Sequence, residues 1–586
     1  MKKYLYLFTC IYLLNSFTAS TQTPEEELQQ IFQTHNLMGM SVVAVYQGEM
    51  IYSGHFGLAN FAAQTAVTSR TMYRIASISK SITATAFMKL YEQGLVGLDD
   101  NISDIMGFEI KNPSHPGIAI TPRMLLSHTA TLNDGSTYSS FLGATANNPN
   151  PPAIGQLIVP GGSYYSSNIW LNETPGHYFQ YTNLGYGLLA SIIEKVSDTR
   201  FDIFVRDSIL LPVSIQGSFN IHDLESPAGL AVLYRMSCDQ WVPQADNYPS
   251  GFPQPIDYSD YTPGHNGLIF APQGGLRISA EDLSVLMSMF MNKGQYKGIR
   301  ILEEETVDLM QQMQWEYNGN NGNNYWNLFN AWGLGFHLTT NQQEADIVIP
   351  GYNMVGHPGE AYGLISDMYF HNDPDFGLVF ITNGSAGNYF FGWNSAFYEV
   401  EEQVFDVLYN GYILPAMSVQ YFDVNIDTQG MGATDPGPGT YSFEENHEIS
   451  IAAIPDPGWL FDHFLVNGVQ HTDSLIEIIV DQEFDVTAVF TEIETTIGDW
   501  INPDAFEIYL SQRDNQLVVK ANTFTNKKLR IHVTGMRGVS VLSEMIFNSE
   551  AGETNIFDLS QIAAGAYIVT ISSPDRIITT EKILVF

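Results

Sequence analysis

The feature that most constrains this chain is a change of texture near residue 415. From about Pro24 to Pro415 helical periods mix with short β-branched and aromatic runs, the pattern of one large α/β or α+β body. Beyond it the long helical patterns stop, and short alternating strands follow one another between Gly, Pro and Asp residues. One core cannot serve both regimes, and 586 residues are several times the usual domain length. The reading is a body over residues 24–415, a β-rich module over 417–493 and a β-sandwich over 503–586.

The N-terminus carries Lys2-Lys3, an apolar run from Tyr4 to Leu14, and small residues ending in Thr18-Ala19-Ser20. This is the layout of a cleavable secretory signal over residues 1–20. The run is well short of the roughly 20 residues that a span needs, so no membrane span is expected in the mature chain. Cys10 comes too early for a lipoprotein site and should leave with the signal. Cys238 is then the one remaining cysteine, expected to be a small buried residue, and export occurs without a disulfide framework.

With 24 basic against 63 acidic residues the formal charge is -39, which repels phosphate backbones and anionic membranes and argues against nucleic acid as a partner. No CxxC, HExxH or GxxxxGK[ST] pattern occurs, so the common redox, zinc and nucleotide signals are missing. No metal or cofactor is expected, and the chemistry should come from side chains.

Within the body, Ser41 to His55 reads as two strands around Gln47-Gly48. Ser81 to Gln93 reads as a helix closed by Gly94, and Gly185 to Val196 as another. Ala361–Phe370 and Gly377–Thr382 read as an antiparallel pair joined by a turn-rich connection, and Asn318 to Asn324 as a surface loop.

A serine hydroxyl is a poor nucleophile at neutral pH and needs a partner to take its proton. A lysine three residues on shares its face of a helix. Ser77-Ile78-Ser79-Lys80 is the one Ser-x-x-Lys of the chain, and burial near a helix N-terminus would disfavour the ammonium and make Lys80 a base. Chance alone supplies about one such motif in a protein of this size, so its setting has to decide.

That setting is residues 71–90, TMYRIASISKSITATAFMKL, followed by Leu98-Asp99-Asp100 and Ile120-Thr121-Pro122-Arg123-Met124-Leu125-Leu126-Ser127-His128-Thr129. In order, these resemble the landmarks of the serine β-lactamase-related family, which includes class C β-lactamases, D-Ala-D-Ala carboxypeptidases, D-aminopeptidases and esterases. The chain departs from the pattern at Ala130-Thr131, where the family usually has Ser-Gly; His128 reads as structural. Tyr181-Thr182-Asn183, after Pro175-Gly176, resembles the family's Tyr-x-Asn loop. The resemblance implies that Tyr181 exchanges protons with Ser77 and the leaving group, and that Asn183 binds substrate and Lys80. Tyr325-Trp326-Asn327 has the same spacing but the wrong chain order and is rejected.

Four His-x-Gly triplets begin at His55, His115, His265 and His357. Only the last stands just before the strand pair where the family carries its Lys-Thr-Gly or His-x-Gly, so His357 and Gly359 take the site role and His265 is left a lesser cleft position. By the same analogy the oxyanion donors are the backbone N–H groups of Ser77 and Glu360.

The resemblance covers residues 24–410 and implies an antiparallel sheet flanked by helices, a metal-free acyl-enzyme mechanism, and a small peptide or ester as substrate. A β-lactam is a possible covalent ligand. D-Ala-D-Ala-type carboxypeptidase, D-aminopeptidase and esterase are the leading activities, because His357 replaces the lysine of Lys-Thr-Gly. Penicillin hydrolysis is one alternative, and an adhesin on a relic hydrolase fold is another. The segment 417–493 resembles bacterial surface repeat modules. Residues 503–586, with Leu529-Arg530-Ile531-His532-Val533 and Gly565-Ala566-Tyr567-Ile568-Val569, resemble the C-terminal sorting domain of the type IX secretion route, whose machinery is then a partner. Localisation is expected at the cell surface or outside, by way of the periplasm.

Overall fold

The computed structural model describes residues 22–386, 390–418, 420–492 and, with short interruptions, 506–585. The expected signal at 1–20 lies outside the described residues. The described chain divides into two compact units, breaking between Met417 and Ser418. Among the described residues no helix is long and apolar enough to cross a membrane.

The first unit is organised by five helices, α1 (Pro24–Thr34), α2 (Ser79–Glu92), α3 (Asn183–Ser197), α4 (Ala280–Met291) and α5 (Glu399–Leu408). Its main strands are β1 (Gly39–Tyr46), β2 (Glu49–Asn60), β3 (Val355–Ala361), β4 (Leu364–Asn372) and β5 (Asp375–Thr382). They form one antiparallel sheet in the order β3-β4-β5-β1-β2, extended beyond β3 by three two-residue strands and beyond β2 by another. The sheet order explains why β1 reads as a continuous apolar run: it lies between β5 and β2 with both faces covered. Val42 and Ala44 face the core that holds Leu28 of α1 and Val404 of α5, whereas Val43 and Val45 face the core that holds Met287 and Phe290 of α4. α2 is buried nearly all round, so a lysine on it is taken out of water wherever it points.

The expected helices are longer at their N-terminal ends: α2 starts at Ser79 behind a 3₁₀ turn at Ala76–Ile78, and α3 starts at Asn183. Two expectations need correction. His357-Pro358-Gly359 is not ahead of the strand pair but inside a strand, β3, which makes the pair a triplet of strands. Cys238 is exposed, because it occupies, with Asp239, the turn between strands Leu233–Ser237 and Gln240–Ala245 with φ of 49°.

The second unit is all β. Residues 421–492 form a five-stranded and a three-stranded sheet around Val424, Ile451, Phe464 and Ala488. Strand Leu475–Val480 alternates exposed and buried residues, as a strand with one wet face must. Residues 506–585 form a three-stranded and a four-stranded sheet around Leu517, Ile531 and Val569.

Candidate active site

Ser77 sits in the 3₁₀ turn that launches α2, directly after Ala76, whose φ of 49° lies in the left-handed region. That conformation costs an alanine about 1–2 kcal/mol. Lys80 follows one turn on and is fully buried. Its Nζ lies 3.1 Å from Ser77 Oγ, 2.9 Å from Asn183 Oδ1 and 2.9 Å from the Gln273 carbonyl oxygen. Burial lowers its pKa to about 7, against the opposing pull of the Asp134 carboxylate. This arrangement has a definite chemical content. Asn183 Oδ1 and the Gln273 carbonyl can only accept, so they fix the two hydrogens of the neutral amine and leave its lone pair directed at the Ser77 hydroxyl.

Tyr181 closes the other side of Ser77, with which its hydroxyl is hydrogen-bonded. Burial pushes that hydroxyl well above the ordinary phenol range, so it works as a neutral donor and acceptor. The Lys80 Nζ stands 4.7 Å from the centre of the Tyr181 ring. His128 holds this loop: its Nδ1 accepts the backbone N–H of Thr182 at 3.2 Å, and its ring lies 4.5 Å from that of Tyr181.

Asp134 was not legible as a site residue. Its Oδ1 accepts from Thr182 Oγ1 at 2.7 Å and from the backbone N–H groups of Asn183 and Leu184 at 2.8 and 2.9 Å, while Oδ2 accepts Asn183 Nδ2 at 2.9 Å. A carboxylate from a distant loop thus caps α3, the place where negative charge is favoured, and sets the Asn183 amide with its oxygen toward Lys80.

His357 is fully buried and neutral: burial first, then the Lys80 charge, holds its pKa well below the usual value. Its Nδ1 donates to the Pro358 carbonyl at 2.6 Å, so Nε2 carries the lone pair, and that atom is buried without a protein partner. The imidazole centre is 6.0 Å from that of Tyr181. Two residues on, a Cβ on Gly359 would fall 2.4 Å from Ser366 Oγ, 2.7 Å from the Ile75 carbonyl oxygen and 3.1 Å from Ser77 N. The glycine is what lets β3 close on the segment bearing Ser77. β3 and β4 are joined by Tyr362-Gly363 with φ of 58° and 93°, a two-residue turn that makes Ala361 and Leu364 a hydrogen-bonded pair. Glu360 and Ile365 are then a non-hydrogen-bonded pair, and the Glu360 N–H faces away from β4. The Ile365 N–H donates to Thr382 Oγ1 instead. The Glu360 N–H is therefore not used in the β3–β4 ladder.

A cavity of about 270 Å³ opens on Ser77. Tyr181, Tyr325, Trp326, Gly359 and Glu360 are among its walls. Tyr325, set aside in the sequence because of its position along the chain, stands with its ring 5.8 Å from that of Tyr181. His265 is elsewhere, bonded through Nε2 to the Pro151 carbonyl. Among the described residues no cluster of three or more His, Cys, Asp or Glu is set to hold a metal ion.

Residues 25–394 match the family model for beta-lactamase, well over half of the chain. The chain belongs to the beta-lactamase family. Residues 513–586 match the secretion system C-terminal sorting domain, which marks this beta-lactamase family member for the type IX route to the cell surface or the outside. Similar curated proteins include penicillin-binding protein 4* of Bacillus subtilis (strain 168), 30% identical over 204 residues, 33% of this chain and 41% of that protein. Penicillin-binding protein 4 of Amycolatopsis lactamdurans is 23% identical over 379 residues, 63% of this chain and 86% of its own length. Among solved structures, the octameric penicillin-binding protein homologue from Pyrococcus abyssi superposes with a TM-score of 0.50 at 18% identity, covering 85% of this chain and 97% of that one. At that identity the likeness is one of fold.

Proposed function

We propose that this chain hydrolyses an amide or ester through a Ser77 acyl-enzyme, with Lys80 and Tyr181 moving the protons. The observation that carries this reading is the Lys80 amine, lowered to about 7 and 3.1 Å from Ser77 Oγ. In the first half, neutral Lys80 takes the Ser77 proton as Oγ bonds to the substrate carbonyl carbon. The Ser77 and Glu360 N–H groups receive the oxyanion, each such donor contributing about 2.7–4 kcal/mol in comparable sites. The carbonyl–heteroatom bond then breaks, and the leaving group collects the proton from Lys80 by way of the Tyr181 hydroxyl. In the second half, water attacks the acyl carbonyl and its proton passes through the neutral Tyr181 hydroxyl to Lys80; the bond between the acyl carbon and Ser77 Oγ then breaks, Oγ takes that proton from Lys80, and the acid product leaves. The buried lone pair of His357 Nε2 supports that step as an acceptor near the phenol. Asn183 holds Lys80 and the substrate.

His357 in the place of the family's Lys-Thr-Gly lysine favours a peptidase or esterase over an efficient penicillin-hydrolysing enzyme. A β-lactam remains a covalent ligand in this reading, in keeping with the penicillin-binding proteins among the relatives. The domain division proposed with it is a hydrolase body at 24–415, a β-rich module at 417–493 and the sorting β-sandwich at 503–586. The test is steady-state turnover of p-nitrophenyl acetate by wild type and Ser77→Ala. Loss of turnover by at least about 10³-fold supports the reading, since general acid–base help and a covalent route are both removed. Unchanged turnover overturns it.

A further inference from the structure

A second cavity, of about 550 Å³, shares no lining residue with the one that opens on Ser77. Arg74, Arg200, Arg277 and His222 are among its walls, and none of the described residues lining it is an aspartate or glutamate, in a chain whose formal charge is -39. Two of the three guanidiniums are already matched. Arg277 donates through Nε and Nη2 to Asp246 at 3.2 and 2.8 Å, and Arg200 through the same pair of atoms to Asp202 at 3.0 and 2.7 Å. Arg74 makes no ion pair among the described residues. Its Nε donates to the Gly274 carbonyl at 3.1 Å, and neither terminal nitrogen has a hydrogen-bond partner there. The guanidinium stands 5.2 Å over the ring of Tyr362, another wall of the same cavity.

A guanidinium withdrawn from water without a counter-charge is costly. Burial, and then the charge of Arg277, lowers the Arg74 pKa. A guanidinium nevertheless keeps its proton in a protein, so the cost is relieved by an anion and not by neutralisation. Gln273 adds a second unpartnered group to the same walls: its side-chain oxygen is buried without a hydrogen bond, while its backbone carbonyl holds Lys80. The Gln273 and Gly274 carbonyls are consecutive, so one short segment fixes both Lys80 and Arg74 in place. Much of the remaining wall is aromatic. Tyr258 and Phe270 lie 5.5 and 5.2 Å from the Arg200 guanidinium, and Phe219 and Tyr248 line the cavity with them.

One unmatched cation calls for one negative charge, and the planar fork of an arginine fits the two oxygens of a carboxylate. Aromatic walls favour a flat apolar body, and about 550 Å³ lies within the range of about 300–1,000 Å³ that small-molecule sites occupy. We propose that this cavity is a second ligand site, which takes a small aromatic monocarboxylate on the terminal nitrogens of Arg74. The Gln273 side-chain oxygen is free to accept from a hydroxyl or N–H of the same ligand. The site stands apart from the Ser77 cavity, and its occupation does not depend on the acyl-enzyme reading above.

The test is calorimetric binding of two matched probes, benzoate and its neutral counterpart benzamide, to the full-length wild-type chain at pH 7, repeated on Arg74→Gln, Ala146→Glu and Trp326→Ala. Benzoate should bind at least tenfold more tightly than benzamide. Arg74→Gln should bring that ratio close to one, and Ala146→Glu, which puts a negative charge at an exposed position of the cavity wall, should cut it severalfold. Trp326→Ala alters the other cavity, the one on Ser77, and should leave the ratio where it is. A ratio of affinities is insensitive to the fraction of protein that is folded, and the surface position of Ala146 supplies the variant less able to disturb the core. Equal binding of the two probes, no binding of benzoate, a ratio unmoved by Arg74→Gln or by Ala146→Glu, or one lowered by Trp326→Ala overturns the proposal. Since binding needs no turnover, these results are separate from those that decide whether Ser77 is the nucleophile.

Discussion

Asp134 and Asn183, 49 residues apart, meet through two hydrogen bonds: the Asp134 carboxylate accepts the Asn183 backbone N–H at 2.8 Å and its side-chain amide at 2.9 Å. The second bond decides which way the Asn183 amide points, and so whether its oxygen or its nitrogen meets Lys80. Replacing Asp134 by Asn would set one NH₂ group against another. We expect Asp134→Asn to lower kcat/KM by about tenfold to a hundredfold, the kinetic equivalent of one or two lost charge-assisted hydrogen bonds. Removing the carboxylate also removes the charge that favours the Lys80 ammonium. The acid limb of the pH profile should therefore move below that of wild type, a shift that a purely structural cap would not produce.

The wild-type pH profile is itself a prediction. Lys80 must be neutral to accept the Ser77 proton, and its pKa is lowered to about 7 by burial. kcat/KM should rise with pH through about 7 and then level, where a lysine in water would keep it rising toward about 10. Lys80→Arg should remove turnover at every pH, because a guanidinium does not release its proton. A flat profile between pH 5 and 9 speaks against Lys80 as the base.

Gly359→Ala tests the close approach of β3 to Ser77. The added methyl would meet Ser366 Oγ and the Ile75 carbonyl oxygen at 2.4 and 2.7 Å, and relief requires the two backbone segments to part. A displaced oxyanion donor is worth about 10²–10³ in kcat. The overpacking should cost about 1–3 kcal/mol of stability. Measured kcat and the urea midpoint check the two parts separately.

The chemical core of the site was legible in the sequence because it is local. Ser77-x-x-Lys80, Tyr181-x-Asn183 and His357-x-Gly359 each bind two functions within one turn or one strand, and the structure brings all three to one place. Asp134 was not legible. It carries no neighbouring motif, and its role exists only because a loop folds onto the start of α3. Asp367 was hidden for the same reason: in Leu364–Asn372 an aspartate reads as a break in an apolar strand, and its meaning comes from α5 packing across it. Tyr325, rejected as the Tyr-x-Asn tyrosine, still lines the cavity, since that wall is assembled without regard to the order that the motifs keep. The two-unit division was visible as a change in periodicity, whereas the turn that exposes Cys238 left no signal beyond the adjoining Asp239.

The Asp367–Glu401 pair makes a stability prediction. Both carboxyls have raised pKa values, Glu401 to about 7, with burial the leading cause for each. Between the unfolded values and about 7 the folded state binds more protons, so the pair's contribution to stability is present at low pH and lost as pH rises through about 7. Asp367→Asn removes one buried charge of the same sign. The Tm difference, variant minus wild type, should become more positive between pH 5.5 and 8.5. A difference independent of pH would show that the pair does not titrate in this window.

The most direct test of the central claim is covalent. Wild-type protein treated with a fluorophosphonate ester, digested and mapped by mass spectrometry, should carry one phosphonyl group on the peptide containing Ser77. Ser77→Ala should carry none there, and Lys80→Met should label far more slowly. Labelling at another serine with Ser77 untouched, or equal labelling of wild type and Ser77→Ala, would contradict the account.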